Sequence, residues 1–304
     1  MAVHRFQPQK YYTTIGAHEP CLHIANGDTV VTSTVDTDGC DASGTKVTKA
    51  GNPQTGPFYV EGAKRGGSIA VRFDQLRPNR RLGFSLATIA PNVLDPGFVK
   101  EMPPVERAAW GIDEQGTFAT LLSPATALGT IRLPLSPMVG CFGVAPDGGQ
   151  AISTDTSGSY GGNMDYRGFR QGVTVYLPVY EEGALFSLGD GHALQGEGEI
   201  SGMGIEISFD VSFTIRVAAG SIRWPRAEND EAILCVGNAR PLDQAVQHCT
   251  TEMVRWLRDD YRLDASAASI LLGQCVQYEI GNFFDPAYTV VCKLAKKYLP
   301  SVGA

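Results

Sequence analysis

Turn residues set the grain of this chain. Its 304 residues include 35 glycines and 18 prolines, spread at short intervals. Between them lie short runs rich in β-branched residues, at 29–35, 68–73, 173–177, 199–208 and 211–217. Short strands closed by frequent turns build sandwiches or barrels, whereas strands alternating with helices build parallel α/β sheets. The expected fold class is therefore mainly β and sandwich-like. No internal repeat or low-complexity tract interrupts it.

The last fifth changes character. Leu242, Ala245, Val246, Cys249, Met253, Trp256 and Leu257 recur at helical spacing and predict one buried helix face. Asp264 is placed to N-cap a second helix that ends near Gly273. Residues 274–280 and 287–294 then read as a closing strand pair. On this pattern the chain divides into a mainly β catalytic region, 1–225, and an α+β C-terminal segment, 226–304, packed on it as one compact unit. Residues 77–120 hold few clear strands. Proline and glycine dominate 91–104, which reads as a surface excursion that could serve as a lid.

Bulk properties exclude several function classes. Acidic residues outnumber basic ones by 32 to 25, a formal net charge of -7, so the chain lacks the basic balance of a nucleic-acid binder. No apolar run reaches the ~18 residues of a membrane span, and the N-terminus carries no secretory h-region, so a cytoplasmic location is expected. The seven cysteines are scattered and contain no Cys-x-x-Cys, which predicts buried thiols, not a zinc knuckle or a disulfide framework. Edge strands of a β-rich chain need covering, which points to a homo-oligomer, a dimer in the simplest case.

Chemistry concentrates in residues 185–199. This stretch, Leu-Phe-Ser-Leu-Gly-Asp-Gly-His-Ala-Leu-Gln-Gly-Glu-Gly-Glu, holds Asp190, His192, Gln195, Glu197 and Glu199 among four glycines. On an extended backbone Asp190 and His192 share one face. A carboxylate beside an imidazole can bind a divalent metal or move protons. Gly189-Asp190-Gly191 also reads as a hairpin turn, and an Asp–His pair is also a common surface hydrogen bond. Asp36, Asp38 and Asp41 crowd an early polar loop, which reads either as a distant source of carboxylate ligands or as an ordinary solvated loop. A Gly-x-Ser-x-Gly elbow is missing, as are nucleotide-binding glycine motifs. Cys141 reads as a core thiol more readily than as a nucleophile.

The block Gly189-Asp-Gly-His-Ala-Leu-Gln-Gly-Glu-Gly-Glu199 resembles the signature of the acetamidase/formamidase family. So do Gly161-Gly-Asn-Met-Asp-Tyr-Arg167, Val175-Tyr-Leu-Pro-Val-Tyr180 and Gly183-Ala-Leu-Phe-Ser187. Further blocks are Gly27-Asp-Thr-Val30, Thr55-Gly-Pro-Phe-Tyr-Val-Glu-Gly-Ala63 and Gly140-Cys-Phe-Gly-Val-Ala-Pro146. They follow the family's order and span most of residues 20–300. The resemblance implies β-sandwich-like sheets with an α+β segment, and hydrolysis of a small linear amide such as formamide or acetamide to carboxylate and ammonia. It departs in the 36–41 loop, at Ser159-Tyr160 and across 77–135, where substrate choice is expected to lie.

Amide hydrolysis needs an activated nucleophile, a stabilised oxyanion and a proton for the leaving amine; a metal-activated water with a nearby carboxylate supplies these. The expected metal ligands are Asp190 and His192 with Asp36 and Asp38. Catalytic roles fall to Glu61, His192 and Asp165, with Glu61 as proton shuttle because it sits in a family-like block. Asn163, Gln195 and Glu197 are the expected substrate-binding side chains. Zinc is the first choice of metal; calcium or manganese suits a set dominated by carboxylates. The rival class is a non-catalytic β-sandwich that binds carbohydrate or another small ligand. Such a module would centre on aromatic side chains and would not need this set of carboxylates and histidine.

Overall fold

A computed structural model describes residues 1–300. Two sheets hold most of the strands. The larger has nine strands, in the order Val3–Arg5, Thr29–Ser33, Phe209–Ala218, Ser68–Pro78, Thr174–Pro178, Arg226–Glu228, Ala232–Ala239, Tyr288–Ala295 and Gln277–Ile280. The second has seven, with Phe186–His192 at its centre between Met138–Gly143 and Gln54–Val60. The mainly β expectation holds.

The two sheets face each other across an aromatic layer. Along Phe209–Ala218 the inward positions Phe209, Val211, Phe213 and Ile215 are buried and alternate with partly exposed ones, the period of a strand packed on one face. Phe213 meets Phe58 and Phe186 of the seven-stranded sheet edge-on, with ring centroids 5.3 and 5.4 Å apart. Phe73 meets Phe142 in the same way at 5.1 Å. Edge-to-face rings add to the gain from apolar burial. Phe186–His192 is buried along its whole length. Polar groups at its end are thereby withdrawn from solvent.

The C-terminal segment joins the larger sheet, since Arg226–Glu228 pairs with Thr174–Pro178. The predicted helix runs Leu242–Tyr261 and buries Ala245, Cys249, Met253, Trp256 and Leu257 against strands Ala232–Ala239 and Tyr288–Ala295. Its close approach depends on Gly237, where a Cβ would overlap the Ala245 carbonyl and sit 2.8 Å from the Cys249 nitrogen. The second helix, Ala265–Cys275, is capped by Asp264, whose carboxylate accepts from the Ala267 N–H at 2.8 Å. It passes Gly273 by two residues.

Residues 77–120, expected to hold few clear strands, differ from expectation together with the segment that follows to 135. They form a four-stranded antiparallel sheet of Leu82–Leu86, Arg107–Ile112, Phe118–Ser123 and Arg132–Pro134. Only the span between the first two strands is the irregular excursion foreseen, with short turns at Pro91–Val93 and Val99–Glu101. Arg107–Ile112 carries a single β-branched residue; ladder pairing, not propensity, makes it a strand. Among the described residues no helix is long and apolar enough to cross a membrane.

Candidate metal centre and active site

The end of the strand Phe186–His192 presents His192, 1% exposed, to a group of buried carboxylates. Gln195 orients the ring. Its amide nitrogen donates to the carbonyls of Asp165 and, at 3.3 Å, Gly281. Its amide oxygen lies 2.8 Å from His192 Nδ1. With the amide nitrogen committed, that oxygen accepts, so Nδ1 carries the proton. Nε2 is left facing Glu206 at 2.9 Å, Asp190 at 3.3 Å and Glu199 at 4.0 Å. Two overlapping trios result, Asp165–His192–Glu199 and Asp190–His192–Glu206, each with ligand atoms within 4.8 Å of one another. A hydrogen bond that fixes one imidazole nitrogen and frees the other is the usual support of a metal-binding histidine.

Unusual backbone geometry brings these groups together. Asp165, Asp190 and Glu199 have φ of 45°, 61° and 45°, left-handed values that cost a non-glycine residue on the order of 1–3 kcal/mol and persist where the surroundings enforce them. Gly140, opposite Asp190 in the ladder, leaves room for two carboxylates, because a Cβ there would overlap Asp165 Oδ1 and lie 2.6 Å from Asp190 Oδ2. Glu206 bridges to both His192 and Phe84, which ties the four-stranded sheet to the site. The turn between the last two strands closes the far side. There Asn282 Nδ2 donates to Asp165 Oδ2 and to Asp285 Oδ2, each at 3.2 Å, and Asn163 Nδ2 donates to Asp285 Oδ2 at 2.8 Å.

Electrostatically the cluster is short of positive charge. Burial drives the carboxyls of Asp165 and Glu199 well above the usual carboxylate range, helped for Asp165 by repulsion from Glu199. Burial likewise lifts Glu206 and Asp285 to about 7. Burial opposes charge on His192, but attraction from Glu206 and Asp190 outweighs it and holds the imidazolium well above the usual histidine range. Among the described residues no Lys or Arg pairs with Asp165, Asp190, Glu199 or Glu206. Asp165 Oδ1 and Glu206 Oε2 are buried without a hydrogen-bond partner among the described residues. Buried carboxylate oxygens without a donor are strongly disfavoured. A divalent cation would resolve that imbalance, and one imidazole nitrogen among carboxylates is a donor set that suits zinc or manganese. The residues therefore fit a metal. A cavity of about 700 Å³ opens onto the cluster, lined by Asp190, Glu199, Glu206, Asp285, Phe284 and Arg240.

The expected site residues divide sharply by location. Asp165, Asp190, His192 and Gln195 meet in the cluster, and Asn163 orients Asp285 beside it. Asp36 is 1% exposed but serves its own loop: its carboxylate accepts from the N–H groups of Asp38 and Cys40 at 3.0 and 2.8 Å and pairs with Arg80. Asp38 pairs with Arg107 through both oxygens. These loop residues line a separate groove of about 790 Å³ whose lining includes none of the cluster, although Asp38 also reaches the rim of the first cavity. Glu61 is exposed and bonds His23 at 2.9 Å. It follows Val60 past the Phe58–Phe186 pair, whereas His192 lies past the Thr55–Leu188 pair, at the other end of the same two strands. Glu197 is exposed and accepts from the Ile280 N–H at 3.1 Å. Its neighbour Glu199 is the carboxylate that turns inward. Cys141 is buried in the core, as expected, with its thiol pushed well up by burial. Glu206, Asp285 and Asn282 were not anticipated from sequence. Glu206 alone carried a signal, a charge held between Ile205 and Ile207 in a β-like run.

Comparisons with known proteins show what the chain is similar to in sequence and fold. Residues 147–247 match the model of the acetamidase/formamidase family. The chain is 30% identical over 196 residues to an acetamidase of Mycolicibacterium smegmatis, a match covering 48% of each; it thus aligns with about half the length of that relative. Its fold superposes on a crystal structure of an acetamidase from Yersinia enterocolitica with TM-score 0.84 and 28% identity, over 98% of this chain and 93% of that one. An acetamidase structure from Bacillus halodurans gives the same TM-score and identity over 99% and 100%. With the fold matched end to end and the family model lying across the site strand, the chain is similar in fold and in part of its sequence to the acetamidase/formamidase family.

Proposed function

We propose that this protein hydrolyses a linear amide to a carboxylate and ammonia in the cavity beside His192. The observation that carries the proposal is a tautomer-fixed imidazole nitrogen, buried among carboxylates that no Lys or Arg neutralises. His192 Nε2, with carboxylates drawn from Asp190, Glu206, Asp165 and Glu199, would hold a divalent cation, zinc by preference. Such a cation, when bound, lowers the pKa of water and polarises a carbonyl.

The chain's own residues do the rest. Gln195 holds the His192 ring. The Asn163 and Asn282 amides hold Asp285 at the cavity wall, outside both trios. We assign to Asp285 the transfer of a proton to the departing nitrogen, since an amide anion leaves very poorly and a carboxyl at the wall can supply that proton. The exposed strand Gln277–Ile280 ends the nine-stranded sheet and is the edge along which we expect two chains to associate.

Ammonia release from formamide, acetamide, propionamide and benzamide tests the proposal. Turnover of any member by wild-type protein, lost in His192→Ala, is the expected result. No release from folded, metal-loaded protein, with these amides or with longer linear amides carrying a second polar group, would overturn it.

A further inference from the structure

Every titratable side chain that lines the 700 Å³ cavity is acidic except one. Asp155, Asp190, Glu199, Glu206 and Asp285 face it, with Asp38 at the rim; Arg240 is the sole cation among the described lining residues. Arg240 is not there to neutralise that wall, because no carboxylate lies within 4.0 Å of it among the described residues. Among the described residues its only side-chain hydrogen bond runs from Nη2 to the Phe284 carbonyl at 3.2 Å. Its guanidinium lies over the Tyr288 ring, 4.2 Å from the centroid. The exposed group is therefore steered by a carbonyl and a ring face, with most of its five N–H donors open to solvent at the cavity mouth and free to meet a ligand.

The cavity is also larger than formamide or acetamide requires. Sites of about 300–1,000 Å³ are the scale on which much larger organic ligands are enclosed, and this one falls well inside that range. Space beyond the reacting amide, ending in an unpaired guanidinium, calls for a substrate whose far end carries negative charge. A planar carboxylate matches the guanidinium fork. We propose that Arg240 selects amides that carry a second, anionic group, the monoamides of short dicarboxylic acids, by pairing with the distal carboxylate. This rests on the amidase proposal and names the substrate class of that site. Arg240 also determines what is rejected. Without its charge the surrounding carboxylates would repel an anionic substrate more than a neutral one.

The test compares each monoamide acid with its neutral diamide: malonamate with malonamide, succinamate with succinamide, glutaramate with glutaramide. For the best-fitting chain length, wild-type kcat/KM is expected to favour the acid by about tenfold or more, the scale of one charge-assisted pair. Arg240→Gln should lower that ratio by about the same factor, and Arg240→Lys should recover part of it, since a lysine keeps the charge but loses the fork. A diamide preferred at every length, or a ratio unmoved by Arg240→Gln, overturns the inference and leaves the amidase proposal standing. If no amide of either kind turns over, the amidase proposal fails. Titration calorimetry of succinamate against succinamide, on wild type and Arg240→Gln, then decides carboxylate recognition by itself. Tighter succinamate binding that depends on Arg240 supports it, and equal binding overturns it.

Discussion

Two acidic regions of this chain look alike as text and behave oppositely in the fold. The loop with Asp36 and Asp38 and the stretch containing Asp190 and Glu199 both crowd carboxylates next to glycines. In the loop the protein supplies its own cations: Arg80 for Asp36 and Arg107 for Asp38. In the cluster it supplies only His192, against four carboxylates that are 5% exposed or less. Burial is therefore no guide to function, because Asp36 is as buried as His192 and Glu206. The deciding property is whether the fold has already paired the charge. A paired carboxylate shapes a loop, and an unpaired buried one awaits a ligand.

The largest expected effect lies on the paired side. Arg80→Met leaves Asp36 buried without its partner, a loss of about 3–5 kcal/mol for a broken buried pair. Thermal or urea unfolding should show it, while metal content of the protein that stays folded is unchanged. If metal were lost with stability only slightly altered, the loop would belong to the centre and the distinction would break.

On the unpaired side, Gln195→Leu removes the acceptor that fixes the His192 tautomer. Metal affinity should fall about 10–100-fold, the usual cost of losing a ligand's supporting hydrogen bond. Competition with a chelator measures it, and an unchanged affinity would show that the ring is held by packing alone.

A smaller effect concerns pH. In metal-free protein, Glu206 and Asp285 titrate near 7 when folded and in the ordinary carboxylate range when unfolded. Asp165, Glu199 and His192 are shifted in the same upward direction. The folded state thus binds more protons than the unfolded one. Stability is fully present below the ordinary carboxylate range and is lost as pH rises toward 7 and beyond. Melting temperature of chelator-treated protein should fall from pH 5 to pH 8, and saturating metal should flatten or reverse that slope. A metal-free protein that gains stability over this range would contradict the charge assignment.

The smallest effect belongs to Glu61. It is solvent-exposed, and its pair with His23 is of the surface kind that contributes little. Glu61→Gln should leave ammonia release within about twofold, as expected of a screened surface pair. A larger loss would bring the far end of the strand pair into the reaction.

These regions also show how far sequence reasoning reached. Asp190, His192 and Gln195 lie within six residues, so their meeting is a local consequence of one strand end and one turn. Asp165 and Asn163 were legible through their own glycine-rich block. Glu206 and Asp285 come from segments whose text is ordinary: an apolar–acid–apolar alternation and a Phe-Phe-Asp-Pro turn. Only the bridge of Glu206 to His192 and the closing hairpin turn them inward. Glu197 and Glu199 have the same parity, but positive φ at Gly198 and Glu199 breaks the strand alternation between them, and only Glu199 is buried. The arginines that cancel Asp36 and Asp38 lie 44 and 69 residues away, beyond any local pattern. The four-stranded sheet within 77–135 was hidden for a related reason, since its strands are made by pairing with each other and not by composition.

The central claim is that the cluster around His192, and not the loop around Asp36, holds the metal. The most direct measurement is elemental analysis of purified wild type, His192→Ala and Asp36→Asn, each loaded with zinc, manganese or calcium and then dialysed. Wild type and Asp36→Asn are predicted to retain the same amount of one divalent metal, at least one per chain, and His192→Ala to retain little or none. Retention by His192→Ala with loss in Asp36→Asn, or no retention by wild type under any loading, would contradict the account.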